Sequence, residues 1–461
     1  MLPAGDYFKV KFADKAIPAL VLLLTINLFN YIDRYILSST IAGIESDLLQ
    51  NAPAGSKKTW LGLLATCFMV SFMVFAPVFG WLALKIKRWH MIGFAILFWS
   101  LASGLSGVSG SMAQWNAKTF GNQVPWVYAL IGSYGFLVLT RCMVGIGEAA
   151  YGPTAPTILS DHFPEKSRGW IMSIFYAAIP VGSALGYTFG GIAGWPNAFY
   201  WVIPPGLLLG LACFFMKEPQ VGQKDEVKAD TPSMPVSYLI RTPSYIFNCL
   251  GMIASTFAIG GIAYWFPYYV SVFRQAGTEK EAGTWMGLII VSAGLLATLL
   301  GGMAGDYFKK YHSGSYFLVS GISMLVGFPL FLSVIYAPFP LAWFLIFLAC
   351  FCLFFNTGPT NAILLNVAPP KLRTVSFAIN IFMIHAFGDA ISPWVIGGIA
   401  DAFPVKQMQV VNGMAQEVHI GNLDAGFYAV SGMVLLSGLL WIAGAPFLEK
   451  DTRRASGTVN A

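Results

Sequence analysis

Apolar residues along this chain fall in runs of about twenty or more, the length a helix needs to cross a bilayer. Short polar stretches separate them. The pattern predicts twelve spans, at residues 16–43, 60–84, 89–110, 126–160, 167–194, 197–217, 244–273, 282–305, 313–336, 338–366, 373–402 and 423–448. The apolar run behind the fourth is longer than one crossing requires. The fold class is therefore an all-α integral membrane protein of twelve transmembrane helices.

The polar stretches divide the spans into two sets of six. "KEPQVGQKDEVKADTPSMP", Lys217 to Pro235, is charged, poor in aromatics and contains three prolines. It reads as a flexible connection. The expected organisation is a first six-helix bundle over 1–217, a linker over 218–243 and a second bundle with a short tail over 244–461. The halves also resemble each other. "YGPTAP" at 151–156 is answered by "TGPTNA" at 357–362, and Pro164 by Pro370, both 206 residues on. "GGIAG" at 190–194 is answered by "GGIAD" at 397–401. An even number of helices per copy makes the two copies parallel, the layout of a two-bundle carrier.

Composition agrees with the pattern. Hydrophobic residues make up 56% of the chain and charged ones 10%, against roughly 25% charged in soluble domains. The net charge of +6 does not indicate nucleic acid, because the basic residues sit in short clusters between spans and form no continuous face. Of the 27 Lys and Arg, 19 fall on one set of alternate connections and six on the other. That bias predicts a multi-pass protein of the cell membrane with both termini in the cytoplasm. The opening "MLPAGDYFKVKFADK" is polar and basic and leads straight into the first span, so that helix is expected to be its own insertion signal. The six cysteines lie in apolar segments without a CxxC pair and read as small buried hydrophobes.

The remaining two arginines, Arg34 and Arg141, lie inside spans. Charge within a bilayer is costly and marks function by default. On the first span Asn27, Asn30 and Arg34 share a face, with Asp33 about 100° round. Interfacial snorkelling is the simpler account of the pair, but Asp33 lies deep in its run. On the fourth, Arg141 and Glu148 share a face with Tyr134, about 10 Å apart along the axis. They need not pair with each other. A structural ion pair is the simpler account, but isolated buried pairs rarely repay desolvation.

On the eleventh span His385, Asp389 and Ser392 form a polar face, which fits either a substrate or proton role or a pair that ties helices together. On the tenth, Asn356 and Asn361 flank Gly358 and Pro359. They are candidates for substrate contact or gating, although a local helix irregularity accounts for them more simply. The aromatic run "AYWFPYYVSVF" at 263–273 reads as an interfacial belt or, alternatively, as a wall for a lipid-like ligand. No Walker A, HExxH or GxSxG is present, and "GIG" at 145–147 is not a phosphate loop. Nothing here suggests an enzyme, a cofactor or a metal site.

The stretches "NYIDRY", "RCMVGIGEAAYGPTAPT" and "HAFGDAISPWVIGGIAD" resemble the major facilitator superfamily, and within it the Spinster family. The resemblance covers essentially the whole chain. It implies two bundles that alternate access to a central cavity, a monomer, and proton-coupled movement of lysophospholipid- or sphingolipid-like amphiphiles. It also implies that the important charges are Asp33, Arg141 and Glu148. The superfamily's loop signature departs here: "GWLALKIKR" keeps Gly80, Lys85 and Arg88 but has Leu84 in place of the acid, whereas "GMAGDYFKK" keeps Asp306. The cytoplasmic latch is then expected to rest on Asp306 and Arg88.

Together these readings make Asp33 and Glu148 the expected proton carriers. Arg141 is expected either to set when each acid releases its proton or to bind a phosphate or carboxylate headgroup. A carrier for a drug, sugar or organic anion on the same fold is the alternative. A membrane receptor that binds without flux is a further one.

Overall fold

The computed structural model describes residues 16–53, 55–120, 131–163, 165–220, 234–369, 372–411 and 414–455. Inside a bilayer an apolar segment can satisfy its backbone only by closing on itself, so each run becomes helical. In chain order the helices are α1 (Ala16–Ser39), α2 (Ile41–Leu48), α3 (Lys57–Leu82), α4 (Arg88–Phe120), α5 (Ser133–Tyr151), α6 (Ala155–His162), α7 (Glu165–Ala193), α8 (Asn197–Tyr200), α9 (Ile203–Cys213) and α10 (Ser237–Ile240). The chain continues with α11 (Pro243–Tyr268), α12 (Glu279–Phe308), α13 (Ser315–Tyr336), α14 (Leu341–Phe355), α15 (Thr357–Val367), α16 (Arg373–Ile384), α17 (Ser392–Ala402), α18 (Leu423–Gly444) and α19 (Leu448–Ala455). Nine helical segments among the described residues are long and apolar enough to cross a membrane. The fourth, fifth and sixth expected spans correspond to α5 with α6, α7, and α8 with α9.

The repeated Gly-Pro pairs mark breaks. Helix α5 ends at Tyr151 and α6 opens at Ala155, with Gly152 and Pro153 between them. Proline has no N–H to give and crowds the preceding turn, so it ends one helix and opens the next. Helix α14 likewise gives way to α15 at Asn356, with Pro359 in the new first turn. The over-long fourth run is therefore two helices.

Two compact units result. One holds the residues through Asn51 with Cys67–Ala229, and the other holds Ala52–Thr66 with Asp230–Ala461. Much of the linker expected over 218–243, residues 221–233, lies outside the described residues, as do Lys9, Lys11, Lys15 and Lys371 of the basic clusters. In the first unit α1 packs chiefly on α7, and α4 on α5 and α9. The α1–α7 approach is close because α7 presents glycine: a Cβ on Gly182 would stand 2.6 Å from the Leu28 carbonyl oxygen, and one on Gly186 the same distance from that of Ile32. In the second unit α11 and α13 both pack on α18, and α12 packs on α14.

Helix starts are capped by side chains, which satisfy amides the helix itself leaves open. Thr278 and Glu281 form a capping box on α12, and Asn422 accepts from the amides of Asp424 and Ala425 at the head of α18. Within the second unit Asp401 of α17 accepts from the amides of Lys58 (3.2 Å) and Thr59 (2.7 Å), at the first turn of α3.

Three features differ from the sequence reading. The aromatic run at 263–273 is not an interfacial belt. Tyr264, Trp265, Phe266, Tyr268, Tyr269 and Phe273 are buried inside the second unit, where Phe266 and Tyr269 stack around Phe427. The connection after the eleventh span is a hairpin, with β1 (Val405–Val411) antiparallel to β2 (Met414–Ile420) and Val405 opposite Ile420. Its Gln407 amide donates to the Phe273 carbonyl at 2.6 Å, which ties the hairpin to the end of the seventh span. The short tail continues as helix α19, whose buried Asp451 accepts from the Ser244 amide at 2.9 Å and so caps α11.

Candidate functional site

Asp33 and Arg34 of α1 and Arg141 and Glu148 of α5 come together in the first unit, with serines of α4 between them. Asp33 and Arg34 are adjacent on α1, so they leave the helix about 100° apart and serve different neighbours. Arg34 reaches α5, where its Nε donates to Glu148 Oε2 at 2.6 Å. The Glu148 side chain is wholly buried and that of Arg34 is 19% exposed. The guanidinium carbon lies 5.2 Å from the ring centroid of Tyr31, 5.1 Å from that of Phe68 and 5.2 Å from that of Phe72. Three ring faces around one cation compensate part of the hydration it has given up.

Asp33 is fully buried and accepts a hydrogen bond from the Ser103 hydroxyl of α4. Arg141 of α5 donates through Nη2 to the same hydroxyl at 3.4 Å and to Ser106 at 3.1 Å. Ser106 in turn shares a hydrogen with Thr140 at 2.9 Å. The serines thus bridge Asp33 to Arg141, while Phe199 lies under the Arg141 guanidinium at 5.2 Å. The sequence expectation gave Arg141 the task of governing both acids. The structure gives Glu148 its ion pair with Arg34 and leaves Arg141 joined to Asp33 through hydroxyls.

Surrounding residues hold this geometry. The Asn27 amide donates to the Phe175 carbonyl at 2.9 Å and fixes α1 on α7. Tyr151, one turn beyond Glu148, donates to the Leu23 carbonyl at 2.6 Å and fixes α5 on α1. Buried Asn30 faces the Glu148 carboxylate, and Tyr134 is buried in the first turn of α5. The second carboxylate oxygen, Glu148 Oε1, has no donor in hydrogen-bonding geometry among the described residues. A carboxylate paired with a guanidinium can give up that ion pair on taking up a proton.

The candidates elsewhere in the chain are arranged differently. Asn356 donates to the Leu353 carbonyl at 2.6 Å and Asn361 to that of Thr357 at 2.8 Å. Both amides therefore satisfy backbone of their own helix, next to the break. His385 and Asp389 bond each other at 2.9 Å on a π-helical turn, each about a quarter exposed. Ser392 is fully buried beside Gly260 of α11. Asp306 accepts from the Tyr316 hydroxyl at 2.7 Å, within the second unit.

Arg88 is buried in the first unit, where it pairs with Asp161 at 2.6 Å and with Glu218 at 2.8 Å. Glu218 also accepts from the Trp89 amide at 3.2 Å. The residue in the signature's acid position, Leu84, is 84% exposed. In place of the missing loop acid, Arg88 has two acids from α6 and from the end of the sixth span.

Several contributors were missed in the sequence. Asp161 and Glu218 lie outside the apolar runs and carry no signal. Ser103 and Ser106 did carry one: Ser100, Ser103, Ser106 and Ser109 recur every third residue in "WSLASGLSGVSGS", and all four are fully buried. That spacing is a polar stripe along α4.

The family model described as Major Facilitator Superfamily matches residues 23–393. The sphingosine-1-phosphate transporter SPNS2 of Danio rerio is 30% identical, over 94% of this chain and 85% of that protein. The protein spinster homolog 1 of Rattus norvegicus is 31% identical, over 94% and 81%. Among solved structures, a bacterial homolog of the human lysosomal transporter Spinster, in an inward-facing and occupied conformation, superposes with a TM-score of 0.71 at 16% identity, over 96% of this chain and 98% of that one. A D-xylose–proton symporter superposes at 0.70 with 18% identity, over 94% and 98%. A membrane transporter of two six-helix halves, not an enzyme, is the class that this fold and these matches define. The chain belongs to the major facilitator superfamily and, within it, to the Spinster family.

Proposed function

We propose that the protein moves an amphiphile with an anionic head, of lysolipid or sphingolipid type, across the cell membrane by proton-coupled alternating access. Relatives that are sphingosine-1-phosphate transporters support the substrate class. The observation that carries the mechanism is the Arg34–Glu148 ion pair, whose carboxylate is wholly buried.

In this reading Arg34 has two competing anions. While Glu148 is ionised it occupies the guanidinium. A proton on Oε1 neutralises the carboxylate, and Arg34 then takes the phosphate or carboxylate of the substrate, held in plane by Tyr31, Phe68 and Phe72. Losing the proton restores the internal pair and expels the head. Asp33, one residue away and bridged to Arg141, is the second proton carrier, and Arg141 sets its charge state through Ser103. Both termini face the cytoplasm, in line with the bias of basic residues, and the protein works as a monomer.

Binding and proton uptake are linked, so substrate affinity rises as pH falls. The test is flux into proteoliposomes under an imposed pH gradient, with lysophosphatidic acid, sphingosine-1-phosphate, a hexose and an organic acid in parallel. Gradient-driven uptake of the anionic amphiphiles alone is expected. Uptake of the hexose in their place would overturn the substrate class, and undiminished gradient-driven uptake in both Glu148→Gln and Asp33→Asn would overturn the coupling.

A further inference from the structure

A groove of about 340 Å³ indents the first unit on a different face of α5 from Glu148. Phe79 and Leu82 of α3, Ile86 of the following turn, Phe94 and Phe98 of α4 and Gly147 of α5 line it. All are apolar. Gly147 lets α5 approach α4 closely beside the groove, since a Cβ there would stand 2.6 Å from Trp99 Cβ. Phe94 and Phe98 are exposed within a spanning helix, so the groove opens sideways along the part of the chain that lies in lipid.

One end of the groove is basic. Ile86 is flanked by Lys85 and Lys87, both exposed. The Lys85 ammonium lies 3.7 Å from the ring centroid of Trp81, itself exposed, an aromatic and basic pair of the kind found where a span meets headgroups. Arg88, the next residue, is committed inward to Asp161 and Glu218. The cations presented to a headgroup are therefore the two lysines.

We propose that this groove holds one acyl chain of an anionic membrane phospholipid, with the lipid phosphate against Lys85 and Lys87. The apolar lining recognises the chain, and its volume falls at the small end of ligand sites, about 300 Å³ and upward. The lysines select the head: a zwitterionic lipid brings its own cation beside the phosphate, whereas an anionic lipid gains about fivefold in occupancy per lysine. The site is separate from the Arg34–Glu148 pair and takes a resident lipid, not the transported one.

Native mass spectrometry of the purified full chain tests this, after equilibration with equal amounts of phosphatidylglycerol and phosphatidylcholine carrying the same acyl chains. Wild type is expected to retain one phosphatidylglycerol about 25-fold over phosphatidylcholine, about fivefold for each of the two lysines. The exposed pair of changes K85E/K87E should abolish that preference. Leu82→Trp, which fills the groove with apolar bulk, should reduce retention of both lipids, and Arg34→Ala should leave retention unchanged. Equal retention of the two lipids by wild type overturns the headgroup assignment. Full retention by Leu82→Trp overturns the groove, and loss of phosphatidylglycerol in Arg34→Ala would place the lipid in the transport site instead.

Discussion

The two units break the corresponding span at the same place and furnish it with different chemistry. In the first, the span that breaks at Gly152 carries Arg141 and Glu148, both buried and both engaged with groups on other helices. In the second, the span that breaks at Asn356 has Phe347 and Phe354 at the matching positions, and its amides bond backbone of their own helix. The break recurs because both spans need it. The charges do not recur at the matching positions, as expected if the proposed coupling device is required once. A function confined to the first unit is the simplest account of charges that the second lacks.

The comparison can be broken most severely at the ion pair. Arg34→Ala removes the proposed headgroup partner and leaves Glu148 buried without its cation, a loss worth about 2 kcal/mol or more. Binding of lysophosphatidic acid to purified protein should fall by about thirtyfold, and gradient-driven flux should disappear. Glu148→Gln should abolish driven flux while keeping binding, since it imitates the protonated acid. A variant that keeps wild-type driven flux contradicts the account.

A smaller effect is expected at Ser103→Ala. It removes the hydroxyl that bridges Asp33 to Arg141, a hydrogen bond to charged groups worth about 1.5–3 kcal/mol. Flux should fall by about tenfold with the fold retained. The smallest effects belong to the second unit. Asn361→Ala deletes an amide that bonds the backbone of its own helix, at about 1 kcal/mol. It should lower the melting temperature slightly and leave the pH dependence of flux unchanged. An altered pH dependence there would place coupling chemistry in both units.

Much of the fold was legible because a bilayer allows so few backbone solutions. The spans, the repeated Gly-Pro pairs and the candidate charges Asp33, Arg141 and Glu148 could all be read from apolar runs and what interrupts them, although the helix break at Gly152 could not. The pairing could not. Asp33 and Arg34 are adjacent, and helical geometry alone does not say which neighbour each meets. The close approach of α1 to α7 and the packing of α5 against α4 decide that. The aromatic run at 263–273 was misread because an aromatic belt and an aromatic core have the same composition and differ only in what surrounds them. The hairpin did leave a trace: alternating polar and apolar residues on either side of Asn412-Gly413, a pair that favours tight turns, although those two residues lie outside the described ones. Helix α19 was hidden by its hydrophilic sequence, since its role rests on one buried carboxylate, Asp451.

The central claim is that Glu148 and the substrate head compete for Arg34, with a proton deciding between them. Binding of lysophosphatidic acid to purified wild type and Glu148→Gln, measured from mildly alkaline to mildly acidic pH, addresses it most directly. The account predicts that wild-type affinity rises as pH falls, by up to about tenfold per pH unit where one proton is taken up, and that Glu148→Gln binds tightly with this dependence gone. A wild-type affinity that does not change with pH, or a variant that keeps the full slope, would contradict it.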